Sequence, residues 1–223
     1  MTTGSRIMPA APKPDSALMA QLRTLPVANV SDNMLRLYGG YDRLRPMHDG
    51  SALCGPALTV RTRPGDNLFV HKAIDIAEPG DVIVVDAGGD TTNSIIGEIM
   101  LRLALARGIA GFVIDGAIRD AGAIAAGSLP VFALGAAHRG PYKDGPGEIN
   151  VPISIGGMPV SPGDIMLGDA DGVLAVPQAD APGVLSRALA QNDQETEIFR
   201  SIDEGTIDRS WVDATLKSRG YVR

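Results

Sequence analysis

The sequence predicts an α/β protein, and three observations carry that prediction. Val82-Ile83-Val84-Val85 and Phe112-Val113-Ile114 are continuous β-branched and aromatic runs, which suit strands buried on both faces. Between them, from Glu98 to Arg107, Ile99, Met100, Leu103, Ala104 and Ala106 recur at helical spacing, and Gly108 supplies the stop. A further short helix then leads to a third strand over 131–134. Strand, helix, strand, helix, strand in that order implies right-handed crossovers and neighbouring parallel strands.

The remaining elements follow from local chemistry. Residues 1–14 read as a disordered tail, and 15–223 as a single domain. Asp15 can cap a helix over 16–25, stopped by Pro26. A second helix is expected over 30–37, closed by Gly39-Gly40, with Ser31-Asp32-Asn33 as capping and surface groups that could also line a site. Residues 57–62 alternate like a strand. Pro64-Gly65 turns the chain, and Asp66 is a good N-cap for a helix over 68–77, with His71 on one side of it. Pro79-Gly80-Asp81 is a turn, and Asp86-Ala87-Gly88-Gly89 reads as a loop leaving the carboxyl end of the first buried strand. Asp120 opens the helix over 121–126.

From His138 to Asn150 the chain reads as a Gly- and Pro-rich loop, a candidate lid. A meander follows, with β segments at 151–155, 158–160, 165–168 and 173–176 separated by tight turns. A long helix over 182–203 and a polar tail anchored by Trp211 complete the reading.

Composition excludes several classes of function. The 223 residues, 44% hydrophobic and 21% charged, suffice for one sizeable core. Aromatic content of 4% and a net charge of −6 argue against nucleic-acid partners, which need stacking platforms and a basic face. A lone cysteine, Cys54, excludes an internal disulfide or a cysteine metal cluster and reads as a small core residue. No stretch is long enough to span a bilayer, and the first residues lack the apolar core of a signal peptide; a cytoplasmic protein is expected.

Two features stand out as chemistry. Arg119-Asp120 follows a strand and Asp115-Gly116, where a glycine permits close backbone approach and where α/β sheets place ligands. The bland alternative is a surface ion pair or a helix cap. Gly97-Glu98 opens a helix whose first-turn N–H groups, Gly97 to Met100, can hold a substrate carboxylate; alternatively Glu98 is simply an acid favoured by the helix dipole. Gly168-Asp169-Ala170-Asp171-Gly172 lacks the closing Glu of a calcium loop and reads as a hairpin turn. His48, His71 and His138 show no metal-ligand spacing.

In combination these motifs resemble the RraA-like family, which includes 4-hydroxy-4-methyl-2-oxoglutarate and 4-carboxy-4-hydroxy-2-oxoadipate aldolases. The supporting stretches are Val30-Ser31-Asp32, Pro64-Gly65-Asp66-Asn67-Leu68, Pro79-Gly80-Asp81-Val82, Gly97-Glu98, Asp115-Gly116-Ala117-Ile118-Arg119-Asp120, Asn150-Val151-Pro152-Ile153, Val160-Ser161-Pro162-Gly163-Asp164 and Gly168-Asp169-Ala170-Asp171-Gly172-Val173, covering about residues 25–200 in order. The resemblance implies a swivelling α/β/β fold, trimers or hexamers with sites at subunit interfaces, a divalent metal (Mg²⁺ or Mn²⁺) and cleavage that releases pyruvate.

Carried onto this chain, the substrate-binding amides fall on Gly97, Glu98, Ile99 and Met100, the substrate-binding arginine on Arg119, and the direct metal ligand on Asp120. Glu98 would hold a metal-bound water, and Glu195 would be the acid contributed by a neighbouring subunit. One departure is the stretch Ala121-Gly122-Ala123, which lacks the acid some family aldolases carry just beyond the Arg-Asp pair.

The expected chemistry is a metal-dependent retro-aldol cleavage, with oxaloacetate decarboxylation as a related activity. A hard cation and Arg119 would take up charge as an enolate of pyruvate forms, and a water in the acidic shell would act as base. The rival implied by the same resemblance is a non-catalytic regulator that inhibits a ribonuclease. A methyltransferase reading lacks a glycine-rich nucleotide loop followed by an acid at a strand end.

Overall fold

The computed structural model describes residues 4–36 and 43–222. Its centre is a run of parallel strands: β3 (Leu53–Thr62), β4 (Val82–Ile96), β5 (Gly111–Ile118) and β6 (Val131–Ala136), paired in that order, with the short β2 (Arg45–Pro46) antiparallel on β6. The helices between them, α3 (Leu68–Ile76), α4 (Glu98–Ala106) and α5 (Ala121–Ala125), cover one face of the sheet. Val70, Ile74, Met100, Leu101 and Ile124 pack there against Val60, Ile83, Val85, Phe112 and Ile114.

The other face carries Val82, Val84 and Val113, which pack against the hairpin β8 (Ile153–Ile155) and β9 (Met158–Val160) and against β10 (Ile165–Asp169) and β11 (Gly172–Val176). Cover on both faces is why the central strands are apolar without alternation. The layers are therefore helix, sheet, sheet: the α/β/β arrangement. A third cluster packs α1 (Ser16–Leu22), α2 (Val27–Asp32) and the start of α6 (Ala181–Asp203) on β10 and β11 through Leu22, Val30, Leu174, Val184 and Leu185.

Several elements differ from expectation. The segment expected to be a loose tail carries β1 (Ser5–Ile7), which pairs in parallel with β7 (Gly147–Ile149). β7 lies inside the supposed 138–150 loop and also pairs antiparallel with Val60, Arg61 and Thr62 of β3, so tertiary pairing overrides a turn-rich composition. The supposed loop at Asp86-Ala87-Gly88-Gly89 is strand: β4 continues to Ile96 through three register shifts, with Gly88 and Gly89 at φ 70° and 71°. The second helix, expected over 30–37, runs from Val27 to Asp32, because the Pro26 carbonyl already accepts from the Asn29 and Val30 N–H groups at 3.1 and 3.3 Å; the expected Gly39-Gly40 stop lies outside the described residues. Trp211 does not anchor the tail. It is 65% exposed on α7 (Ser210–Ser218), a helix with no buried residue.

Candidate active site

β4 and β5 end side by side, with Ile96 opposite Ile118, and the Arg119 N–H donates to the Ile96 carbonyl at 2.9 Å. The next residues, Gly97 and Arg119, are thereby forced together. A Cβ on Gly97 would lie 2.5 Å from Asp120 Oδ2 and 2.9 Å from Arg119 Cγ, closer than real Cβ atoms approach. Gly97 is extended, at φ −150°, so space rather than backbone conformation demands the glycine.

Asp120 has a left-handed backbone, φ 54° and ψ 39°, uncommon for a residue with a side chain. It stands at the N-cap of α5 without capping it. Its carboxylate turns back and accepts from the Glu98 N–H at 2.9 Å, at the start of α4. A negative group there is favoured by the unpaired N–H groups and the helix dipole. Arg119 Nε lies 3.8 Å from Asp120 Oδ2, and the two side chains are 42% and 43% exposed. The expected meeting of residues 98, 119 and 120 occurs, but through the Glu98 backbone. The Glu98 carboxylate instead accepts from Arg102 Nε at 2.8 Å, one turn along α4.

A pocket of about 120 Å³ opens beside this junction. Gly97, Ile99, Met100 and Arg119 line it together with Asn67, His71 and Lys143. Three of the expected site residues therefore share the pocket with Arg119. The last three carry no site role in the sequence, where Asn67 belongs to a family-like stretch, His71 reads as a helix side and Lys143 has no signal at all.

Asn67 is buried at the start of α3, with Nδ2 donating to the Ile95 carbonyl at 2.8 Å and to Met100 Sδ at 3.3 Å. The loop bearing Lys143 is pinned by Asp66. Its fully buried carboxylate accepts from the N–H groups of Asp144 at 2.8 Å, Gly145 at 2.9 Å and Leu68 at 2.9 Å. Burial pushes the Asp66 pKa up, but these three N–H groups and the Arg63 guanidinium outweigh it and hold the carboxyl below its ordinary value.

Asp115 belongs to the opposite side of the sheet. It sits beside Asp86 in the β4–β5 register, is 6% exposed, and its Oδ1 has no hydrogen-bond partner. Burial raises its pKa and the Asp86 charge adds to that, against a hydrogen bond from the Gly156 backbone and the attraction of Arg43. Gly116 next to it does permit close approach: a Cβ there would lie 3.2 Å from Ala87 Cβ and from the Asp90 carbonyl.

Glu195 does not line the pocket of its own chain. It accepts from Asn29 Nδ2 and Gln191 Nε2, each at 2.9 Å, in a polar seam between α2 and α6. Asp32 and Asn33 belong to the same seam, paired with Arg36 and Gln191. Among the described residues no three His, Cys, Asp or Glu side chains gather as a closed metal cage requires. The donors that are present suit a hard cation such as Mg²⁺, which keeps most of its waters and needs one or two carboxylates. Asp120 is placed to supply one.

In this α/β/β protein the N-terminus of α4, Arg119 and Asp120 converge where the parallel strands β4 and β5 end. The chain belongs to the RraA-like family: the family model described as Aldolase/RraA matches residues 27–175. It is 42% identical over 189 residues, 85% of this chain and 90% of the relative, to a Halalkalibacterium halodurans protein named "Putative 4-hydroxy-4-methyl-2-oxoglutarate aldolase". Among solved structures, an uncharacterized protein from Pseudomonas syringae pv. tomato superposes with a TM-score of 0.80 at 30% identity, covering 88% of this chain and 97% of that one. Streptomyces coelicolor RraAS2, described as an unusual member of the RNase ES inhibitor RraA family, gives 0.76 at 26% identity, covering 85% and 98%. Among the described residues no helix is long and apolar enough to cross a membrane.

Proposed function

We propose that this protein is a divalent-metal-dependent lyase that cleaves a 4-hydroxy-2-oxo diacid, of the 4-hydroxy-4-methyl-2-oxoglutarate type, by a retro-aldol reaction that releases pyruvate. Oxaloacetate decarboxylation is the related activity of the same site. The observation that carries this reading is the direct packing of Gly97 on Arg119 and Asp120, which brings first-turn amides, a guanidinium and a carboxylate together beside one pocket.

In this reading the amides of Gly97, Glu98, Ile99 and Met100 receive the substrate carboxylate in place of Asp120. Arg119, planar and permanently charged, binds the 2-oxo oxygen as negative charge gathers there. Asp120 would bind Mg²⁺ or Mn²⁺ directly, and Glu98, released from Arg102, and Glu195 from a second copy in a trimer or hexamer would hold its waters. When bound, the cation would supply Lewis-acid stabilisation of the developing charge. The acidic shell of Glu98 and Glu195 orients a water that takes the proton of the 4-hydroxyl as the carbon–carbon bond breaks. The bond's electron pair passes to the three-carbon fragment, which is protonated to pyruvate.

A pyruvate-release assay with Mg²⁺ or Mn²⁺, across oxaloacetate and 4-hydroxy-2-oxo diacids, tests this. Turnover that EDTA silences and Asp120→Ala abolishes is expected, and turnover unchanged in that variant sinks the site assignment. The RraAS2 likeness supports a second reading, a non-catalytic regulator that binds and inhibits a ribonuclease. Capture of a ribonuclease without pyruvate release on any substrate would favour it.

A further inference from the structure

The pocket beside Gly97 carries polar groups that bond cleavage does not use: Asn67, His71 and Lys143. Arg119 lies against Gly97; the Ile95 carbonyl and Met100 Sδ accept from Asn67 Nδ2; His71 stands one turn of α3 from Asn67, about 6 Å along the helix axis. Asn67 is 2% exposed and its Oδ1 has no hydrogen-bond partner. A buried acceptor left unmade is costly, so this stretch is suited to a polar ligand rather than to apolar filling.

Lys143 lines the pocket with His71, on the loop fastened by Asp66. No Asp or Glu side chain is among the described residues that line it. The pocket is therefore lined by two cations, Arg119 and Lys143, by the His71 imidazole, and by the apolar side chains of Ile95, Ile96 and Met100. That lining fits a molecule that carries two anionic groups and a short apolar stretch. Burial and the Lys143 charge hold His71 below the ordinary histidine pKa against the pull of Asp75, so at neutral pH its ring offers one N–H and one lone pair.

We infer that His71 is a specificity-determining residue of this site, donating its ring N–H to a second carboxylate that the substrate carries beyond the bond to be cleaved. Lys143 supplies the balancing charge. The inference rests on the lyase reading, which places the 2-oxo acid end of the substrate at Arg119. It adds the reason a diacid is preferred to a mono-acid of equal length.

The test is calorimetric titration of the full chain in MgCl₂ with 2-oxoglutarate and with 2-oxopentanoate, which differ in the distal carboxylate. Wild type is expected to bind the diacid about tenfold more tightly, the worth of one hydrogen bond to a charged group. His71→Leu is expected to bind the two equally, and His71→Gln, which keeps an N–H donor, to retain most of the preference. In the NMR spectrum of wild type, the His71 ring C–H resonance should move with the diacid and not with the mono-acid. A preference that survives in His71→Leu, equal binding by wild type, or an unmoved resonance would each overturn the role of His71 and leave the lyase reading standing. Binding of neither acid by wild type would overturn both.

Discussion

The Asp120 carboxylate accepts the Glu98 N–H at 2.9 Å, so the residue that begins α5 caps α4 instead. This contact ties the ends of β4 and β5 together through side chain and backbone at once. It also puts a carboxylate against the first N–H of α4, so the affinity of that helix terminus for an anion is already expressed within the chain.

Gly97→Ala should be a site lesion with little effect on folding. The added methyl would fall 2.5 Å from Asp120 Oδ2 and 2.9 Å from Arg119 Cγ, both on partly exposed side chains that can swing outward. Pyruvate release is expected to drop by about a hundredfold, the order associated with a 1 Å misplacement. Circular dichroism and the thermal midpoint should stay close to wild type.

Arg119→Lys is expected to behave as a loss, not a conservative change. A lysine keeps the charge but cannot present a planar fork to neighbouring oxygens. kcat/KM for the preferred substrate should fall at least about tenfold, the cost of one lost charged hydrogen bond. Activity equal to wild type would mean that charge alone is needed.

Asp66→Ala should destabilise by roughly 2–4 kcal/mol, since three N–H groups lose their acceptor together. The Asp66 pKa is lowered in the folded protein, so its charge-dependent stabilisation is full above the ordinary carboxylate pKa and is lost as pH falls through the lowered value. Denaturant titrations should show the gap between wild type and variant narrowing below about pH 4.

Asp115→Asn should act in the opposite sense. The Asp115 pKa is raised, so wild type loses stability as pH rises from the ordinary carboxylate pKa through the raised folded value. Asparagine has the same shape and no charge to bury. The variant is expected to gain stability relative to wild type at neutral pH, and to show no such gain near pH 3. Thermal melts at the two pH values check this.

The sequence made the strand ends and their chemistry legible because those signals are local. Apolar β-branched runs mark buried strands, Gly97-Glu98 marks a helix start, Gly116 marks a close approach, and Arg119-Asp120 follows its strand directly. The Glu98–Arg102 pair was also readable from its spacing of four, yet it draws the Glu98 carboxylate away from the partner expected for it. What stayed hidden depends on distant contacts. β4 runs on through Asp86 to Asn93, residues that locally favour turns, because β5 pairs alongside it. β7 exists because β1 and β3 flank it. His71 and Lys143 share a pocket wall only through the Asp66 clasp, and no periodicity could announce that meeting.

The left-handed backbone at Asp120 has a bearing on how this site can change over generations. Among the twenty side chains, few besides Gly, Asn and Asp visit that conformation readily. Drift at this position is therefore channelled: a descendant that no longer needs the carboxylate has Asn and Gly as its easy exits. In a lineage that had abandoned turnover but kept its architecture, the amide or the bare backbone at position 120 would be the mark left behind.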